Sequence, residues 1–257
     1  MARLAGSRNA TRERLAPGIR ALLVLVGAII FIDTAFYAAL APILADLERE
    51  FDLGKTGSGV LAGMFPAGTV AGAIPAGWLT ARLGPRRVLI GGLTVMATAG
   101  TAFALGSSAA TLDVARFVQG LGGACTWTAS LAWVVRAAPP ERRSELIGLT
   151  IGIGIFGAQF GPVVGTIADA VGREATFLTA AIVALPLAIW ARIARMPAPR
   201  EISAGAPVWV LRRDPAYRVA LLLTFVPSLA FGVIEVLAPL RLDALGATAL
   251  EIGRAHV

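Results

Sequence analysis

The chain lacks most of what a soluble catalytic or redox domain draws on. Its one cysteine, Cys125, lies in an apolar run, which excludes a disulfide framework and a thiolate metal site. Its one histidine, His256, stands next to the last residue, so no imidazole is available to pair with a serine inside the apolar segments. A single acid, Asp33, in the first apolar segment cannot form an aspartyl dyad. Charged residues are only 15% of the chain, and all but one (Lys55) of its 23 basic residues are arginine. From this set no enzyme, no metal and no cofactor is expected.

What the chain has in quantity is apolar length. Hydrophobic residues make up 56% of it and mean hydropathy is +0.75. No water-soluble core can hide that much apolar surface, so the expected fold class is an all-α, polytopic membrane helix bundle. Seven apolar spans of near-bilayer length are predicted at 21–44, 57–81, 88–106, 110–135, 146–168, 175–194 and 216–240. Residues 1–20 form an arginine-rich tail. It resembles a signal-peptide n-region, but the apolar run that follows is too long and lacks a cleavage signal. The polar stretch 195–215 is the natural boundary between a six-helix unit at 21–194 and a second unit opening with the seventh span at 216–250.

The net charge of +7 would suit nucleic acid, but its placement points to a membrane. Seventeen basic residues fall on one side of the predicted spans: five in the tail, three each in the second-to-third and fourth-to-fifth loops, and six around 192–218. Arg49, Lys55, Arg173, Arg241 and Arg254 fall on the other side, and Arg116 lies within a span. This positive-inside bias predicts a cytoplasmic N-terminus in the cell membrane, with lipids and not nucleic acid as partners. It disfavours a seven-span receptor of N-outside orientation.

The most informative stretch runs from Gly148 to Thr166, GLTIGIGIFGAQFGPVVGT, without a charge. Gly154, Gly157, Gly161 and Gly165 recur at spacings of three and four and so share one helix face. Side chains that small let a neighbouring backbone approach closely in lipid, and Pro162 removes the hydrogen bond to the Ala158 carbonyl, so a bend is expected there. A plain glycine-rich packing face is the alternative. The full spacing, Gly148, Gly157, Gly161-Pro162 and Gly165, resembles the fifth-helix antiporter signature of the major facilitator superfamily, nearest its drug:proton antiporter branch. Thr166 stands where a second glycine is usual, and Gly148 lies off the stripe.

Other stretches resemble the same superfamily. Gly77-Trp78-Leu79-Thr80-Ala81-Arg82-Leu83-Gly84-Pro85-Arg86-Arg87 is similar to its G-x-x-x-D-R-x-G-x-R-R loop, with Ala81 in place of the acid. Gly84-Pro85 suits a tight turn, and Arg82, Arg86 and Arg87 can bind helix C-termini, acidic partners or lipid phosphates. In relatives that acid joins another near the end of span four in a gate-locking cluster. Here Ala81 and Arg136 occupy the two positions, and the resemblance does not carry the lock over. Arg116-Phe117-Val118-Gln119-Gly120 resembles the R-x-x-Q-G signature, whose arginine the family links to proton transfer, and Phe31-Ile32-Asp33-Thr34 with Pro42 resembles the first-helix F-x-D-T…P pattern of drug exporters.

Charges inside a span are costly and are functional candidates by default. Asp33 is about 20 Å into its helix at 1.5 Å per residue, beyond mid-membrane. Arg116 descends to a similar depth from the other side, so Asp33 and Arg116 are expected to meet or to share water in a central cavity. The alternatives are a packing or capping Asp33 and a snorkelling Arg116. Gln119 and Glu235, the latter in the outer half of span seven, join them as candidates for proton coupling or cavity lining. Tyr37, Trp127, Trp133 and Gln159 offer groups for an amphipathic substrate, whereas Trp78 and Trp190 read as interfacial anchors.

The resemblance implies a secondary transporter that exports a small organic molecule or drug in exchange for protons by alternating access. A sugar or metabolite permease and a non-transporting membrane receptor or scaffold remain open. Family members have twelve spans in two halves, so the missing C-terminal half is an expected partner. The last residues, Ile252-Gly253-Arg254-Ala255-His256-Val257, are what the common sequencing-adapter sequence ATC-GGA-AGA-GCA-CAC-GTC encodes. A fragment with an adapter-derived tail at 251–257 is therefore expected, inactive alone, with no relay role for His256.

Overall fold

The computed structural model describes residues 15–193, 197, 213–223, 225–226 and 229–230. The chain divides into two compact units, Met1–Arg200 and Glu201–Val257, a division that falls inside the polar stretch 195–215. Within the first unit the described residues form helices and no strand: α1 (Pro17–Ala38), α2 (Leu40–Phe51), α3 (Gly54–Leu83), α4 (Pro85–Ala104), α5 (Ala109–Ala137), α6 (Arg143–Val171) and α7 (Arg173–Ile193), with a short 3₁₀ turn (Pro140–Arg142) before α6. In the second unit a helical stretch over 215–223 opens on Asp214, whose carboxylate accepts from the Ala216 N–H at 2.9 Å. The rest of the seventh predicted span, Glu235 and the tail at 251–257 lie outside the described residues.

Each helix starts and stops for a local reason. Pro17 opens α1 at a position where a missing N–H costs nothing. Ser108 caps α5 by accepting from the Thr111 N–H at 3.3 Å. Gly84 alone joins α3 to α4, at φ +81°, a left-handed value that residues with a Cβ rarely adopt. The first predicted span differs from expectation: it begins at Pro17, breaks at Ala39 and continues to Phe51. Pro42 explains the break, because it has no N–H to offer the Ala38 carbonyl one turn earlier.

Among the described residues, five helical segments are long and apolar enough to cross a membrane: Pro17–Phe51, Gly54–Leu83, Pro85–Ala104, Pro140–Ala168 and Arg173–Ile193. The 29-residue α5 is not among them despite its length. It packs along α3 on one side and α4 on the other, and α1 packs along α6 and α4 along α7. A helix enclosed by other helices has little lipid to face, so it tolerates Arg116, Gln119 and a run of glycines.

The close packing is built from glycine. A Cβ on Gly68 of α3 would lie 2.0 Å from the Phe117 carbonyl oxygen of α5, and one on Gly120 of α5 would lie 2.1 Å from the Phe65 carbonyl oxygen of α3. Backbone therefore meets backbone at this crossing, and the Thr69 hydroxyl adds a hydrogen bond to the Gly120 carbonyl at 3.3 Å. Apolar side chains form two clusters, one near the α3–α4 turn around Leu25, Ile29, Leu89 and Trp133, the other at the opposite end around Ile43, Leu61, Phe103 and Phe177. Asp33, Gln119, Thr126 and the glycines of α6 lie between them in chain order on every helix that carries them. The result is a polar layer held between two dry ones.

The α3–α5 crossing yields a paired prediction. Gly120→Ala forces one backbone away from the other and should destabilise the protein by about 1–3 kcal/mol. Gly91→Ala, whose added methyl meets nothing within 4 Å, should leave stability unchanged or raise it by up to about 1 kcal/mol through helix propensity. Thermal unfolding of the two variants in detergent checks the difference.

Candidate functional site

The polar layer is organised around Arg116, which is 1% exposed although it carries a guanidinium. Nη1 donates to Gln119 Oε1 at 3.1 Å, one turn along α5, and Nη2 donates to the Tyr37 carbonyl of α1 at 3.1 Å. Three ring faces surround the cation: Phe65 of α3 at 5.1 Å, Phe103 of α4 at 5.6 Å and Tyr37 of α1 at 6.0 Å from ring centroid to guanidinium carbon. Aromatic faces attract a desolvated cation, so the rings replace part of the water that Arg116 lost. The rings brace one another, with Tyr37 on Phe65 at 4.9 Å and Phe103 on Phe177 at 4.8 Å.

Asp33 of α1 is 3% exposed. Its Oδ2 accepts from the Thr126 hydroxyl of α5 at 3.4 Å, and its Oδ1 is buried without a hydrogen-bond partner. Trp127 and Arg116 are near enough to interact with the carboxyl. No ion pair joins Asp33 to Arg116, however: those found among the described residues are Arg49–Asp46, Arg142–Glu145 and Arg173–Glu50. Of the two expected arrangements, meeting or sharing water, the direct ion pair is not formed, and two guanidinium nitrogens donate to Gln119 and a backbone carbonyl instead. Gln119 is the link: it bonds Arg116 and lines, with Asp33, a cavity of about 40 Å³ walled by Ile29, Phe36, Met96 and Ala184. That volume has room for a water, and two polar side chains face it.

The glycine stripe of α6 faces α1 and α2. A Cβ on Gly157 would come 2.6 Å from the Phe31 carbonyl oxygen, one on Gly161 2.2 Å from Ala38 Cβ, and one on Gly165 2.6 Å from Pro42 Cγ. Gly148 faces nothing within 4 Å and Pro162 is exposed. Gly161 and Gly165 thus seat on the break at Ala39, and Pro162, within α6, lies at the same level.

The loop arginines separate in role. Arg86 Nε donates to the Ala191 carbonyl at 2.6 Å and its Nη2 donates to the Arg192 carbonyl, which caps the end of α7. Arg82 stacks on exposed Trp78 at 4.4 Å. Arg87 is exposed, and a Cβ on Gly77 would meet nothing within 4 Å. At the other end of α7, Arg173 donates to the Gly106 carbonyl at 3.0 Å, lies 3.6 Å from Glu50 and covers the Phe51 ring at 5.2 Å. Trp133 is 1% exposed and donates from Nε1 to the Pro197 carbonyl at 3.0 Å, so it belongs to the packed core and not to a cavity. Gln159 is exposed.

The sequence profile of the Major Facilitator Superfamily matches residues 24–254. The chain belongs to this superfamily. It is 29% identical over 189 residues to the MFS-type transporter ppzB of Metarhizium rileyi, covering 71% of this chain and 39% of that protein. It is 31% identical over 148 residues to the synaptic vesicular amine transporter of Homo sapiens, covering 56% of this chain and 29% of that protein. The chain therefore spans less than half the length of the curated relatives it matches. Among solved structures, a bacterial homolog of the human lysosomal transporter Spinster, inward-facing and unoccupied, aligns at a TM-score of 0.71 with 15% identity, over 94% of this chain and 58% of that one. That likeness shows the fold: a multi-pass helical membrane bundle of the facilitator type.

Within the facilitator fold, sequence reasoning missed Phe65, Phe103 and Thr126. Nothing in their local spacing marks them; each gains its place only when α3, α4 and α5 pack. The arginine cap makes a prediction of its own. Arg86→Gln should weaken the last turn of α7 by about 1 kcal/mol, seen as faster amide hydrogen exchange at 188–193 with the rest of the bundle unchanged.

Proposed function

We propose that the protein couples proton movement to the export of a small organic molecule by alternating access. It would work in the cell membrane with the N-terminus in the cytoplasm, an orientation supported by the arginine placement. The observation that carries the reading is Asp33, buried between the two apolar clusters with one carboxylate oxygen unpartnered and a cavity beside it. A carboxylate taken out of water keeps its charge only with a partner, so a proton or a cationic group is what this oxygen is built to exchange. Gln119 carries the state of Asp33 to Arg116 through the shared cavity. When Asp33 takes a proton, the demand on Gln119 and the cavity water changes, and Arg116 and its ring cage are free to shift.

The name of the amine-transporting relative supports a positively charged substrate, for which a lone carboxyl is a fitting counter-charge. Alternating access needs a second half rocking against the first. The activity is therefore assigned to the protein carrying both halves, with that second half, lipids, protons and the substrate as its partners. The close seating of α6 on the break between α1 and α2 supports a bundle whose first crossing can bend while staying sealed.

Asp33→Asn in the protein with both halves, reconstituted into vesicles, is the test. With ethidium as the transported probe, the variant should lose proton-driven accumulation and its dependence on pH while still exchanging probe down its gradient. Proton-driven accumulation that survives Asp33→Asn unchanged would overturn the proposal.

A further inference from the structure

We propose that Phe65 is a partition between Asp33 and Arg116, and that its ring decides whether the acid and the guanidinium pair. The inference rests on Asp33 as the coupling carboxyl. Phe65 is a positioning residue: it acts on two charged groups and contributes no proton of its own.

The geometry is specific. The Phe65 ring lies under the Arg116 guanidinium at 5.1 Å. Its far edge reaches the acid: a Cβ placed on Gly123 would lie 3.2 Å from Phe65 Cζ and 3.5 and 3.6 Å from the two Asp33 oxygens. One ring therefore touches the surroundings of both charges. Both charged side chains are almost wholly buried, and each keeps a polar atom unsatisfied, Asp33 Oδ1 and Arg116 Nε. Two opposite, incompletely bonded charges in one dry layer attract strongly. Phe65 is the apolar side chain that lies beside both, its ring against the guanidinium and its Cζ next to the same point at Gly123 as the Asp33 oxygens.

The backbone at Phe65 is pinned, which makes the ring the variable part. Its carbonyl faces Gly120 at the α3–α5 crossing and accepts from the Thr69 hydroxyl at 3.0 Å. Changes to the ring should thus alter the partition without moving α3. Among the described residues, the titratable groups facing Asp33 are few. Arg116 comes from α5 with the donors Thr126 and Trp127, Tyr37 of α1 acts on Arg116, and α4 and α7 bring Leu93, Met96, Ala180 and Ala184. From α6 come glycines, and from α3 Phe65 itself. A change in the titration of Asp33 therefore reports mainly on Arg116.

The experiment uses purified protein with both halves in lipid vesicles and two readouts. One is the infrared carbonyl stretch of the protonated Asp33 carboxyl, identified by its loss in Asp33→Asn and followed against pH. The other is the pH profile of ethidium transport. Phe65→Leu opens the path, lets the guanidinium stabilise the carboxylate, and should move the infrared midpoint down by about one pH unit. Phe65→Met serves where leucine is not tolerated. Gly123→Ala pushes a methyl between ring and carboxyl, desolvates the charged form and should move the midpoint up. The downward movement should vanish in an Arg116→Gln background.

An unmoved midpoint in Phe65→Leu overturns the partition, as does a downward movement that persists without Arg116. A midpoint that moves as expected while the transport profile stays fixed supports the partition and overturns the coupling role of Asp33.

Discussion

A guanidinium removed from water must be solvated by the protein itself, and the rest of this bundle is arranged to do so. Arg116 has one side-chain amide, one backbone carbonyl and three aromatic faces around it. They come from α1, α3, α4 and α5, which can converge on one cation only if their axes lie unusually close. Glycine makes that possible: Gly68 against Gly120, and Gly92 against Gly122, bring backbones into contact where any larger residue would hold them apart. The position of the charge and the density of glycine are thus one design. Without close crossings the rings would not reach, and without rings the buried charge would be prohibitive.

The same constraint explains the layering. Apolar clusters above and below confine the polar groups to one level and keep lipid and bulk water from that level. Asp33 sits in the layer with one oxygen held by Thr126 and one left over, a less complete solution than the one Arg116 enjoys. A site with an incompletely satisfied acid responds to small changes, because each hydrogen bond is worth more where the dielectric is low. The break at Ala39 and the proline of α6 lie just beyond this layer, where α1 and α2 meet the glycine stripe.

At its ends the bundle is fastened by arginine. Arg86 caps one end of α7 and Arg173 ties its other end to α2 and to the α4–α5 connection. Where the superfamily loop carries an acid, this chain has Ala81, and its Arg86 is turned inward onto backbone carbonyls of its own half. The loop here works as a clasp on the helix that leads into the central connection.

The sequence alone determined the class of molecule and where its first six helical spans lie. An uncharged apolar run of about 20 residues matches the thickness of a bilayer, which dictates both its length and its composition. The α6 face that meets a neighbour was also marked in advance, because glycines spaced three and four apart share a helix face whatever packs there. What packs there, α1 and α2, was decided by tertiary structure, as was the crossing at Gly68. Asp33 and Arg116 stood out as charges in apolar runs, expected to meet or to share water, and no direct ion pair joins them. The ring that lies beside both comes from α3, and its neighbours come from helices far apart in sequence. Periodicity reports the face a residue occupies; only the packing of whole helices determines which residue of another helix it meets, because those distances depend on every crossing at once.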